Sequence, residues 1–245
     1  MSAATAAKRI AVIWGAGPGT GASLARAFAK THHLVLLSRS LPASLELLKL
    51  DTPASELVAA TYDGSAASIA AAIDAGKAKW PGATIDVGIV HASAQMKPGS
   101  FLEHSSEDFA TSLSAVAGAW DFSQALIRAF LANEHFPKGT LLFSSATGAW
   151  RGGARFSVVS PAVFARRSLS QSLSREFAPQ GIHVANVIID GVIDIPRVRE
   201  RWGDAKEEGT RLDPEDIAQV YVDLVNQRPT AWTQELDLRP WKEKW

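Results

Sequence analysis

Apolar residues along the 245-residue chain fall into short continuous runs, separated by longer alanine-rich stretches with apolar positions at helical spacing. The runs predict seven strands: residues 9–14 (RIAVIW), 33–38 (HLVLLS), 56–62 (ELVAATY), 86–92 (DVGIVHA), 139–146 (GTLLFSSA), 182–190 (IHVANVIID) and 233–239 (TQELDLR). The stretches between them predict helices over 20–31, 41–49, 65–80, 105–134, 156–176 and 214–226. Strands that are apolar throughout are buried on both faces. Regular alternation with helices then predicts a parallel sheet covered on both sides by right-handed crossovers. The expected architecture is α/β, a doubly wound Rossmann fold in one domain over residues 1–245. Only residues 193–212 (IDIPRVRERWGDAKEEGTRL) break the pattern at length. Charged and without periodicity, they predict a lid over a site.

Composition narrows the function. The 25 basic residues balance the 25 acidic ones, so there is no excess charge for gripping a phosphate backbone, and nucleic acid is not an expected partner. Cysteine is absent, which excludes disulfides, thiolate catalysis and Cys-ligated metal. No cluster of His, Asp and Glu has metal-ligand spacing, so no metal is expected. The start, MSAATAAKRI, lacks an apolar leader core, and no run has membrane-spanning length. A cytoplasmic location is the expectation. Trp241 and Trp245 are expected to pack in the tail.

Chemistry enters at WGAGPGTG, residues 14–21, between the first strand and first helix. Gly15, Gly19 and Gly21 fit G-x-x-x-G-x-G, Gly17 opens the loop further, and Thr20 begins the helix. Without Cβ atoms this backbone can approach a pyrophosphate and aim N–H groups at it. The second strand ends in Ser38-Arg39. An arginine there suits a 2′-phosphate, which points to NADP(H). Asp63 and Gly64, closing the third strand, are placed for an adenine edge, and Asp63 could equally cap the next helix.

With these residues the chain resembles the short-chain dehydrogenase/reductase family over essentially its whole length. The glycine turn matches that family's own, with Trp14 in place of the usual threonine. VHAS (90–93, containing Ala92) lies where the family carries N-N-A-G, and SSATG (144–148) matches its serine motif. SLSRE (172–176) matches the end of its catalytic helix. IIDGVIDIP (188–196) matches the segment bracketing the nicotinamide, with Asp190 at the proline position, Gly191 and Ile193 following, and Ile195 at the threonine position.

The resemblance implies an Asn, Ser, Tyr and Lys tetrad. Counting back from Arg175-Glu176 places the lysine position at Val163 and the tyrosine position at Val159; the asparagine falls at Ala115. Serine alone is kept, at Ser145, with Ser144 beside it. The chain has two tyrosines, Tyr62 and Tyr221, both outside these motifs, and no lysine between Lys138 and Lys206. Valine can neither donate a proton nor supply a charge, so ordinary ketone reduction by the family's route is not expected.

Three readings follow. The first is an NADPH-dependent reductase of an activated imine or iminium carbon, which needs no strong acid, or of another bulky organic substrate. The second is a non-redox isomerase or cyclase working by positioning. The third is an inactive NADP(H)-binding protein. Fungal alkaloid pathways contain depleted members of the family, which points to secondary metabolism. The catalytic candidates are Ser145 and Asp190; His91 and Asp194 are further polar candidates. Met96, Trp150, Val159, Val163 and Trp202 are the expected substrate-pocket residues. The long helices at 106–133 and 157–178 imply a homodimer or homotetramer.

Overall fold

The structure is a computed structural model that describes residues 9–92 and 96–243. Ser93 of the VHAS motif, residues 1–8 of the N-terminal stretch and Trp245 lie outside the described residues. The strands are β1 (Arg9–Trp14), β2 (His32–Ser38), β3 (Val58–Thr61), β4 (Ile85–Val90), β5 (Gly139–Ala146), β6 (Ile182–Ile189) and β7 (Glu235–Leu238). They form one seven-stranded sheet in the order β3-β2-β1-β4-β5-β6-β7, and every pairing is parallel. The predicted single-domain Rossmann architecture is what the chain adopts.

Six α-helices are described: α1 (Thr20–Ala29), α2 (Ala66–Lys79), α3 (Ser106–Leu131), α4 (Ser160–Phe177), α5 (Pro196–Trp202) and α6 (Pro214–Val225). One core layer joins α1 and α6 to Ala11, Ile13, Leu36, Val87, Ile89, Leu142 and Val187. The other joins α2 and α3, with α4 against it, to Val12, Leu37, Val90, Phe143 and Val184. Alternate residues of each strand therefore serve opposite faces, which explains why the strands read as unbroken apolar runs. Ser105 caps α3 in a box with Asp108, Ser65 caps α2, and Pro161 enters α4 in its first turn, where its missing N–H costs nothing.

The predicted helix over 41–49 is not formed. That segment holds a single 3₁₀ turn, Leu45–Leu48, ended by Lys49 in the left-handed region (φ 49°). Leu48 is buried and Leu47 exposed, so one inward leucine anchors a turn too short to propagate a helix. The break at 193–212 is partly ordered. It contains α5, is closed at its base by a bridge between Ile193 and Leu212, and is braced by Asp194, which pairs with Arg199 (2.7 Å) and Arg211 (3.0 Å). Its far end meets the tail, where the Lys242 amide donates to Gly209 (3.0 Å) and Lys242 Nζ pairs with Glu207 (2.5 Å).

Candidate active site

Strand order reverses between β1 and β4, and in such sheets the crevice beyond the carboxyl ends at that point is where ligands bind. The glycine turn and the end of β4 meet there. Gly15 (φ 102°) carries no side chain because a Cβ would strike the backbone of Ala92 and His91. At Gly21 it would strike the Gly15 carbonyl. At Gly19 (φ 111°) it would lie 2.9 Å from Ile195 Cγ2, so the segment after β6 closes over the turn. Gly17 has open space around its Cα. Arg39 is exposed at the end of β2 with no hydrogen bond or ion pair among the described residues. Asp63 is not a helix cap. Its Oδ1 accepts from the Ser65 amide (2.9 Å) and hydroxyl (2.6 Å), which hold its carboxyl below the usual range, while Ser65 caps α2. Gly64 follows with φ 98° and space around it. Trp14 is core, its ring tilted against Tyr62 at 4.8 Å and Phe122 at 5.9 Å between centroids, and Gly118 leaves room for it.

The two serines of β5 face opposite ways. Ser144 joins a buried chain on the α6 side: its Oγ lies 2.7 Å from His91 Nδ1 and 2.6 Å from the Tyr221 hydroxyl. Burial, and then the charge of Arg166, push His91 down to about 4, so its ring is neutral at pH 7. Burial pushes the Tyr221 phenol up. Tyr221, which lay outside every sequence motif, thus reaches the serine strand from beneath the sheet. Ser145 faces the α4 side, buried, and its Oγ has no hydrogen-bond partner among the described residues.

At the start of α4, Val159, its N-cap, and Val163 are buried with Ala149 and Ile188 in a small apolar cluster of their own. The same stripe continues to Arg166, which is 5% exposed. Its Nη1 donates to the Ala92 carbonyl, and its Nε is buried without a partner among the described residues. Burial lowers its guanidinium to about 10. Arg166 was missed from the sequence, although its spacing of seven from Val159 places it on the buried face of the helix.

Asp190 is buried at the end of β6. It accepts from the Thr147 hydroxyl and pairs with Arg239 (2.5 Å), whose Nε also reaches Asp237 (3.0 Å). These groups line a cavity of about 290 Å³ with Trp150 and Arg151. Arg167 holds one wall: it pairs bidentately with Glu235 (2.7 and 2.6 Å) and lies 4.3 Å over the Trp150 ring. Gly191 abuts the tail, where a Cβ would lie 2.6 Å from Pro240 Cδ. Of the expected pocket residues, only Trp150 lines this cavity. Met96 is 60% exposed, and Trp202, at the end of α5, is 58% exposed. Among the described residues no group of His, Asp or Glu could hold a metal ion, and no helix is long and apolar enough to cross a membrane.

The backbone-only cradle at the switch point, the unpaired Arg39 beside it and the orphaned polar atoms of Ser145 and Arg166 fit a nicotinamide dinucleotide. A family model described as enoyl-(acyl carrier protein) reductase matches residues 15–235. The chain belongs to the short-chain dehydrogenase/reductase family. A short-chain dehydrogenase from Rhodopseudomonas palustris is 26% identical, with 95% of this chain and 99% of that one covered and a TM-score of 0.74. A 3-ketoacyl-(acyl-carrier-protein) reductase from Brucella melitensis, complexed with NADH, is 23% identical, with 96% and 98% covered and a TM-score of 0.78. An apo short chain oxidoreductase from Pseudomonas aeruginosa PAO1, described as containing an atypical catalytic center, is 18% identical, with 96% and 97% covered and a TM-score of 0.81. No curated protein matches the sequence.

Proposed function

We propose that this chain is an NADP(H)-dependent reductase with a depleted tetrad, acting on an imine or iminium carbon of a bulky organic substrate. The observation that carries the reading is the apolar wall of Val159, Val163, Ala149 and Ile188 where the family's proton donor would stand. The glycine turn from Gly15 to Gly21 would take the pyrophosphate, Arg39 the 2′-phosphate, Asp63 and Gly64 the adenosine, and Ala92, Gly191 and Ile193 the nicotinamide side. When bound, reduced nicotinamide supplies hydride. An iminium carbon, or an imine protonated by solvent before hydride arrives, needs no proton from the protein, so the apolar wall does not prevent its reduction. Ser145 Oγ offers one hydrogen bond, and the adjoining cavity of Trp150, Arg151, Asp190, Asp237 and Arg239 gives room for a bulky substrate. His91 is neutral and adds no second charge beside Arg166.

The same reading makes residues 193–212 a cover over the glycine turn through Ile195. It also makes the protein a homodimer or homotetramer through α3 and α4, which expose Phe109, Trp120 and Phe164. The test is consumption of NADPH with a panel of cyclic imines and their matching ketones, alongside binding titrations of NADPH and NADH. Turnover with imines only, with Arg39→Ala erasing the preference for NADPH, is expected. Equal turnover of ketones defeats the proposal. Tight NADPH binding with no consumption by any substrate moves the site to isomerase or cyclase chemistry.

A further inference from the structure

Among the described residues, α4 carries a buried cation with no counter-ion. Arg166 is 5% exposed, forms no ion pair among the described residues, and uses one named acceptor, the Ala92 carbonyl. A guanidinium has five N–H donors, and here the Nε–H is buried without a partner. Burying an unpaired charge is costly, and arginines at such depth are normally matched to a carboxylate or phosphate. An apolar residue would serve packing on the buried face of α4 better.

The position of the charge says what would complete it. Ala92 follows β4, and its backbone amide lies against Gly15 of the turn. Arg166 therefore reaches from α4 to the floor of the switch-point crevice, at the end of β4 rather than at the outer cavity of Asp190. From the lysine position at Val163, Arg166 is one helical turn further along the same buried stripe. Its longer side chain spans the added distance.

We propose that Arg166 is the cofactor-positioning cation of this site. It would hold an oxygen of the nicotinamide-side ribose with donors the protein leaves unused, and place a positive charge under the nicotinamide ring. The proposal rests on the reading that the crevice binds a nicotinamide dinucleotide, and it adds a specific preference. A cation in a dry site opposes the positively charged oxidised ring and tolerates the neutral reduced one. The protein should therefore bind NADPH more tightly than NADP⁺.

The experiment compares wild type, Arg166→Met and Arg166→Lys by fluorescence titration with NADPH, NADP⁺ and adenosine 2′,5′-bisphosphate, which carries only the adenine half. Thermal melts of the free proteins run alongside. Arg166→Met should lose NADPH affinity by about tenfold or more, the size of one charge-assisted hydrogen bond, and should narrow the NADPH-to-NADP⁺ ratio. Arg166→Lys should fall between the two. The bisphosphate should bind all three alike, and the free Arg166→Met protein should melt no lower than wild type, because its unpaired charge is gone. NADPH binding to Arg166→Met within twofold of wild type overturns the proposal and leaves the cofactor reading intact. Equal losses for NADPH and the bisphosphate overturn it in favour of a structural role. Failure of wild type to bind either ligand overturns the cofactor reading itself. If Arg166→Met does not fold, an undiminished NADPH affinity and ratio in Arg166→Lys overturn the proposal, and a loss confined to NADPH supports it.

Discussion

Asp190 Oδ2 lies 2.5 Å from a guanidinium nitrogen of Arg239, an ion pair that ties the end of β6 to the residue following β7. Asp190 sits at the position that the sequence marked as a catalytic candidate, and the structure surrounds its carboxylate with an arginine and a threonine hydroxyl. Asp190→Asn should destabilise the fold by about 2–3 kcal/mol, read as a lower urea midpoint, because Arg239 loses its buried carboxylate partner. The double variant Asp190→Asn/Arg239→Met should recover part of that loss. A double variant as unstable as the sum of the two single changes would mean that the pair is not the source.

The glycines of the turn are not equivalent. Gly15→Ala forces a Cβ into the Ala92 backbone at a positive φ, and Gly21→Ala forces one into the Gly15 carbonyl. Each should cost about 2 kcal/mol or more and abolish NADPH binding. Gly17→Ala meets nothing and should stay within about 0.5 kcal/mol of wild type. Melting curves and NADPH titrations of the three variants check the order.

His91 sets a pH dependence. Its pKa falls from 6.5 to about 4 on folding, so the unfolded chain binds more protons between those values, and stability rises with pH through that window. The contribution is fully present above pH 6.5 and is lost as pH falls toward 4, by about 3 kcal/mol in all. Urea melts of wild type and His91→Asn from pH 7 to pH 4 should converge toward the acid end. Parallel curves would refute the assignment.

Val159→Tyr with Val163→Lys reinstates a phenol and an ammonium four residues apart on α4. Val163→Lys alone should lower stability by about 3 kcal/mol, since it drives an unpaired charge among Ala149, Val159 and Ile188. The pair should add ketone reduction to whatever imine reduction wild type shows, measured as NADPH consumption. A Val159→Phe/Val163→Met control should not.

The sheet was legible because its strands are buried on both faces, a condition that writes itself as runs such as RIAVIW and GTLLFSSA. The glycine turn was legible because backbone proximity to Ala92 demands residues without Cβ atoms. The segment 41–49 misled because LELL has helical composition, whereas a four-residue turn is set by what flanks it. Tyr221 and Arg166 were hidden for a different reason. Each belongs to an amphipathic stripe whose period announces burial but not which polar tip reaches across the sheet. Chain position alone points to Met96 and Trp202, yet both are exposed, because a large side chain near a site need not face it.

The C-terminal tail and the segment after β6 share one seam. Pro240 fills the space beside Gly191, Trp241 lies against Gly209, and Lys242 is bonded to both Gly209 and Glu207. The two stretches are therefore a single unit of inheritance. A chimera that transplants the 193–212 segment from a relative would arrive without its matching tail. A change in the shape of residues 193–212 must be matched in the tail, and libraries that vary one piece should randomise both jointly.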